Sequence, residues 1–476
     1  MSISSAFSNA ASGLAASARA VQVASANIAN ALTPGYAPRS LDLSAATLAG
    51  TGGGVQMNGI SRSVDAGLLG LHRDSSASAG SANTTSAFWQ SIEKAIGLPG
   101  EGLSAALSAF DSALIAATDR PDLGSRLTAV ADSATALTSV FSTAQTALQT
   151  RRGEADAAIS SDVQALNSGL ERLDGLNDQI VRLRAGGQAT LGLEDERQAL
   201  ISSLAEIVPL REQARSDGRV TLFTIGGELL LDLEPAEFVF NPAPTMDAGM
   251  TLGAPLSGLT LRGRSLDTGA SGPVAGGRLA ANFQIRDADA PRAQADLDAL
   301  ASTLIDRFAD SATDPTLPVG SPGLFTDAGA LATAAPGLAG RLSVNAAVQP
   351  DSGGAHWRLR DGIGAATTGA VGDATLLRSL SGALDRRLAL TPGGPQLTLA
   401  QAFGEAMTRT SQSRNQSEAT ATSAIARRDE LTEQILAQGV DTDAEMQRLL
   451  QIEQAYAANA RVIETADAML RRLLEI

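Results

Sequence analysis

The chain carries two histidines, His72 and His356, so any Ser-His-Asp nucleophile would have to be built on one of them. His72 sits in LGLHRD and His356 in GGAHWRLR, with no GxSxG elbow beside either. Both read as surface or packing residues. The absence of cysteine excludes disulfides, thiolate metal sites and cysteine nucleophiles. The glycine-rich runs GTGGG (50–54) and GIGAATTG (362–369) miss the GxGxxG spacing, and no Gly-Lys-Ser/Thr follows a glycine loop. Asp441-Thr442-Asp443-Ala444-Glu445 echoes the start of a calcium loop, but Met446 stands where the turn glycine is required. Acids in a first helical turn have an ordinary dipole explanation. Asp287 and Asp289 flank a pre-helix turn with no further ligands nearby. The reading is of no catalytic, cofactor-binding or metal residue. A carboxylate pair for glycoside hydrolysis within 206–395 stays open as an alternative.

The 476 residues suggest about three domains at roughly 150 each. Hydrophobic residues make up 44% but aromatics only 3%, so the apolar content is mostly Ala, Leu, Val and Ile. Such cores bring backbones close and suit slender helical bundles. The net charge is −15 and the pI about 4.7, with no basic run to release counterions from a phosphate backbone. That argues against nucleic acid and leaves solubility as the meaning of the acidity. No apolar run reaches the roughly 18 residues a membrane span needs. The start, MSISSAFSNAASGLAASARA, lacks the basic and then continuously apolar pattern of a Sec signal peptide, so secretion would need another route.

Both ends carry a helical seam. Ile3, Phe7, Ala10, Leu14, Ser17, Val21, Ala24, Ile28 and Ala31 alternate in steps of four and three. Large residues hold one heptad position and small ones the other, which lets a partner helix approach closely. Pro34-Gly35 then stops a helix about 45 Å long at about 1.5 Å per residue. Near the other end, Thr442 reads as the N-cap of a capping box with Glu445. The seam there is Leu449, Ile452, Tyr456, Asn459, Ile463, Ala466, Leu470 and Leu473, and a lone seam Asn such as Asn459 sets register.

Between the ends, residues 40–80 read as a glycine-rich loop with short strands. Residues 81–207 read as mainly helical, with repeats at Leu127, Val130, Ala134, Leu137, Phe141 and again at Leu166, Leu170, Leu173. Residues 209–240 turn to strands around a hairpin signal at Gly226-Gly227. A helix is expected at 291–310, β structure and loops over 311–395, and a helix from Thr398 towards Gln438. The expected fold is multidomain α plus β. A terminal coiled-coil domain joins 1–35 with 440–476. A mainly helical core takes 36–208 with 396–439 and also 276–310. A β-rich outer domain takes 209–275 with 311–395.

Asn27-Ile28-Ala29-Asn30 followed by Thr33-Pro34-Gly35-Tyr36 resembles the N-terminal signature of the flagellar rod, hook and hook-associated proteins. GVDTDAEMQRLLQIEQAYAANARVIETADAMLRRLL (439–474) resembles their C-terminal signature. The helical stretches 176–208 and 276–308 resemble the core of the hook-associated members. The resemblance implies a structural subunit between hook and filament, outside the cell, exported unfolded by the flagellar type III apparatus. It implies as partners other copies of the chain, the hook protein, a second hook-associated protein on the filament side, and an export chaperone on the C-terminal helix.

An unpartnered amphipathic helix does not recover its ordering entropy in water. Both termini are therefore expected to be disordered in the free monomer and to become helical on assembly. Burial of Phe7, Leu14 or Val21 would then contribute roughly 1.5–3 kcal/mol each. Two alternatives remain: a hook or distal-rod subunit, and an adhesin or glycan-active protein using 206–395.

Overall fold

The computed structural model describes residues 3–33, 35–48, 51–98, 100–389 and 394–474. Helix α1 (Ile3–Ala29) leads into the hairpin β1 (Arg39–Leu48) and β2 (Thr51–Arg62). Four helices follow: α2 (Ala66–Ile96), α3 (Gly102–Asp119), α4 (Gly124–Ala185) and α5 (Leu191–Ala205). Short strands come next. They are β3 (Leu210–Ala214), β4 (Val220–Thr224), β5 (Leu229–Leu231), β6 (Phe238–Val239), β7 (Thr251–Leu252), β8 (Pro255–Leu256), β9 (Thr260–Leu261) and β10 (Arg264–Ser265). Helix α6 (Arg278–Gln284) runs through a π-helical turn (Ile285–Asp289) into α7 (Ala290–Ala309). Beyond it lie β11 (Phe325–Asp327), α8 (Leu338–Arg341), β12 (Leu342–Val344), α9 (Arg358–Asp361) and α10 (Thr375–Asp385). The strands β13 (Leu388–Ala389) and β14 (Gln396–Leu397), then α11 (Leu399–Ala437) and α12 (Thr442–Leu474), complete the order.

Helix α4 is the spine. Its 62 residues reach about 93 Å at about 1.5 Å per residue, and its two halves serve different cores. Leu127, Val130, Leu137, Phe141 and Leu148 pack with α3, α7, residues 317–384 and the start of α11. In that core Phe110, Phe308 and Phe325 meet with ring centroids 5.1–5.9 Å apart, and Phe141 meets Phe403 edge-on at 5.8 Å. Ile159, Val163, Leu166, Leu170 and Leu173 pack with α5, the sheet β3–β4–β5, β6, β9 and Phe283 of α6.

Where one core gives way to the other, Arg286 of the π turn is fully buried. It pairs with Asp156 of α4 at 2.8 Å and with its neighbour Asp287 at 2.8 Å. Arg152, one turn earlier on α4, donates to the carbonyls of Arg286, Asp247 and Met250. A buried charge is tolerated only when paired and hydrogen-bonded in this way.

Two antiparallel helix pairs complete the fold. α2 and α11 run antiparallel, with Glu93 accepting from Ser411 at 2.7 Å at one end and His72 meeting the Thr432 hydroxyl at 3.1 Å towards the other. Thr398 caps α11 through a full capping box with Gln401. The second pair is α1 with α12.

In the hairpin and the outer segments the structure departs from the sequence reading. Residues 39–62 form one long antiparallel hairpin, with bulges between Asp42 and Leu43 and between Ala45 and Thr47, where a loop with short strands was expected. Its glycines disguise it: Gly54 takes φ +93°, and a Cβ there would collide with Ser12 Oγ of α1. That glycine serves close approach to a helix. Among the described residues of 311–395 the strands are β11, β12 and β13, the last pairing with β14 just beyond, among short helices and loops. This segment packs on the first half of α4 whereas 209–275 packs on the second half, so the single β-rich outer domain expected from sequence divides between two cores. Apart from α10, the elements of this segment are two to four residues long and too short to show a period, which is why composition alone misassigned it.

Candidate assembly interface

α1 and α12 lie antiparallel: Asn27 meets Glu445 at one end, while Gly13 meets Asn459 fourteen residues along each helix in opposite directions. A Cβ on Gly13 would stand 2.7 Å from Asn459 Nδ2, so the seam asparagine rests on bare backbone. On α1 the small seam residues Ala10, Ser17 and Ala24 are buried, with Ala16, Val23 and Asn27 beside them. The large ones lie further out. Ile3, Leu14 and Ile28 are half-buried, Phe7 is 43% exposed and Val21 is exposed too.

On α12, Leu449, Ile452, Asn459 and Ile463 are half-buried and Ala466 is buried. Tyr456 (44%) and Leu470 are exposed, and the side chain of Leu473 lies outside the described ones. Sequence reasoning passed over a second exposed apolar set on α12: Met446, Leu450, Val462 and Met469. The i, i+4 step from Met446 to Leu450 was its only signal.

The signature residues converge on one amide. Asn27 is fully buried, and all four of its hydrogen-bonding positions are used. Nδ2 donates to the Arg39 carbonyl and to Glu445 Oε1, both at 2.8 Å. Oδ1 accepts from the Tyr36 hydroxyl at 2.8 Å and from the Arg39 N–H at 3.0 Å. The turn between is shaped by Asn30, which donates to the Ala26 carbonyl at 2.8 Å and accepts from Thr33 at 3.3 Å. Gly35 takes φ +80°, and Pro34 lies outside the described residues. Burial raises the Tyr36 pKa above its ordinary value, against the Arg39 guanidinium 4.8 Å from the ring centre. Arg39 and Arg62, at the root of the hairpin, both grip Asp195 of α5, at 3.0 and 2.6 Å. The end of α1, the hairpin, α12 and the core are thereby tied at one point.

The cap of α12 differs from the expected one. Asp441 accepts from the N–H groups of Asp443 and Ala444, both at 3.0 Å, so it takes the N-cap role assigned to Thr442. Glu445 reaches Asn27. The candidate chemical residues are dispersed. His72 meets Thr432, and His356 meets the Thr128 hydroxyl at 2.9 Å. Asp287 is held by Arg286, and Asp289 lies within reach of Gln284 and Arg292. Among the described residues no three His, Asp or Glu side chains gather as a metal site, and no helix is long and apolar enough to cross a membrane.

Three families match the chain in order. The family described as flagella basal body rod protein covers residues 7–36, the flagellar hook-associated protein FlgK helical domain covers 89–314, and the flagellar basal body rod FlgEFG protein C-terminal covers 434–476. All three are families of flagellar axial proteins. The chain is similar to flagellar hook-associated protein 1 of Salmonella typhimurium (strain LT2), at 27% identity over 48% of this chain and 43% of that one. It is 25% identical to the protein of the same name from Escherichia coli (strain K12), over 57% of this chain and 52% of that one. The Bacillus subtilis (strain 168) protein of that name is 25% identical over 46% of each chain. The chain thus spans about half the length of the curated relatives it matches. The structure of the flagellar hook junction protein FlgK from Burkholderia pseudomallei overlaps with a TM-score of 0.45 at 19% identity, over 54% of this chain and 46% of that one. The two terminal matches cover α1 and α12, the pair just described, and the hook-associated match covers the helical core.

Proposed function

We propose that this protein is a non-catalytic structural subunit that joins hook to filament, with α1 and α12 as its axial contact. The observation that carries this is α12: among its described side chains only Ala466 is buried, while six large apolar ones stand exposed. A helix so incomplete within its own subunit gains its stability from neighbours. Head-to-tail contacts that do not close on themselves propagate a helical assembly. The helical-domain match over 89–314 favours the hook-associated role over a hook or distal-rod subunit. On this reading the hook protein lies on one side and a second hook-associated protein on the other. The chain leaves the cell by the flagellar type III route, and a cytoplasmic chaperone covers the apolar rows of α12 until export. Deleting the gene should give cells that build hooks but shed filament subunits into the medium. Intact filaments on such cells would refute the reading.

A further inference from the structure

We infer that Asn27 is a two-sided positioning residue that makes the docking of α12 conditional on the seating of the β1–β2 hairpin. The two ends of its amide do different work. The carbonyl oxygen holds the hairpin root, accepting from the Tyr36 hydroxyl and the Arg39 N–H. The NH2 group faces α12, donating to Glu445 Oε1 with one hydrogen while the other goes to the Arg39 carbonyl. The amide plane can satisfy α12 only in the orientation that also satisfies the hairpin, because a flipped amide would put its oxygen against the Glu445 carboxylate and its NH2 against the donors at Tyr36 and Arg39. Full burial forbids water from replacing a lost partner, which makes a mismatch costly. The rest of α12 is mostly exposed, so the bond in its first turn weighs heavily on where that helix settles. The hairpin root is gripped independently by Asp195 through Arg39 and Arg62, so the signal runs from core to hairpin to Asn27 to α12.

Carboxylate and amide substitutions isolate the Glu445 contact, because the Arg39 carbonyl loses its donor equally in Asn27→Asp and in the double variant. Asn27→Asp keeps the two acceptor bonds to the hairpin root, loses both donor bonds, and sets a carboxylate against Glu445. Two carboxylates so close do not both ionise without a heavy cost. Glu445→Gln is mild, since Oε1 still accepts and Oε2 is buried with no hydrogen bond to lose. Combined, the two changes rebuild the contact with its polarity reversed, the new amide donating to the new carboxylate.

Two readouts test this. In the native host, Asn27→Asp should shed filaments as the gene deletion does, although immunoblots find the variant exported. Glu445→Gln and the double variant should keep filaments. The second readout needs no flagellum: the chain has no cysteine, so Gly13→Cys with Asn459→Cys places one thiol on each helix at their close contact. In purified full-length protein the disulfide should form several-fold more slowly with Asn27→Asp and recover in the combination with Glu445→Gln. A double variant no better than Asn27→Asp in cross-linking, or an Asn27→Asp variant that cross-links like the parent, would overturn the inference. Only the filament readout rests on the junction reading: intact filaments in the deletion strain would defeat that reading and leave the cross-link to decide the coupling.

Discussion

α4 and α12 are both long and rich in alanine and leucine, yet one is buried along its length and the other almost nowhere. α4 places an apolar side chain against a core at nearly every turn, from Leu127 to Ile180, and at its middle Arg152 donates to backbone carbonyls while Asp156 pairs with Arg286. α12 runs 33 residues with Ala466 as its one buried described side chain. The same seam pattern thus has two uses. In α4 the seam is completed by elements of the same chain, and burial at roughly 25 cal/mol per Å² offsets the ordering entropy. In α12 the seam meets α1 mainly through small and half-buried positions, and six large apolar residues of α12 stand exposed with Phe7 and Val21 of α1.

The contrast can be broken or sharpened by mutation. The largest effect should come from Phe141→Ala in the α4 core, about 3–5 kcal/mol of stability in denaturant unfolding. A loss under about 1 kcal/mol would mean that core is loosely packed. Asp156→Ala, which leaves the buried Arg286 with Asp287 as its remaining carboxylate, should cost less than the about 3–5 kcal/mol of a stranded charge and show first as exchange of the 243–257 backbone amides. An intermediate effect is expected at His72, where α2 meets α11. Burial first, then the charges of Arg428 and Arg73, holds its pKa below the ordinary value. The native state therefore binds the proton less tightly than the unfolded chain. The stabilisation is complete above the ordinary value of about 6.5 and is lost as pH falls through the lower native value. Melting curves from about pH 7 to about pH 5 should show this loss, and His72→Gln should flatten it. The smallest effect belongs to α12: Tyr456→Ala should change monomer unfolding by no more than about 0.5 kcal/mol while weakening assembly measured by light scattering. Loss of monomer stability as large as at Phe141 would erase the distinction between the two helices.

Much of this was legible in sequence because helical period and caps are local. The helix from Thr398 to Gln438 carries its own capping box, and the seams from Ile3 and Leu449 announce themselves by spacing. What failed was non-local. The hairpin at 39–62 hid behind glycines whose reason is Ser12 on another element. Thr442 looked like the cap because Glu445 stood three residues on, but Glu445 answers to Asn27, 418 residues away in sequence. The residues of the Asn27 site were visible as a signature, whereas their bonds to Glu445 and, through Arg39, to Asp195 were not. In 311–395, α8 and α9 contribute only one or two side chains each to a core assembled from α3, α4 and α7, while the helical spacing of Leu376, Leu377, Leu380, Ala383 and Leu384 in α10 was passed over.

Amide hydrogen exchange, followed on solitary subunits and on the assembled form, addresses the central claim most directly. In solution the backbone of α4 should be slow to exchange while residues 3–29 and 442–474, docked only transiently, exchange far faster, and assembly should slow those two segments alone. Terminal helices already as protected as α4 in the lone subunit, and unchanged on assembly, would contradict the account.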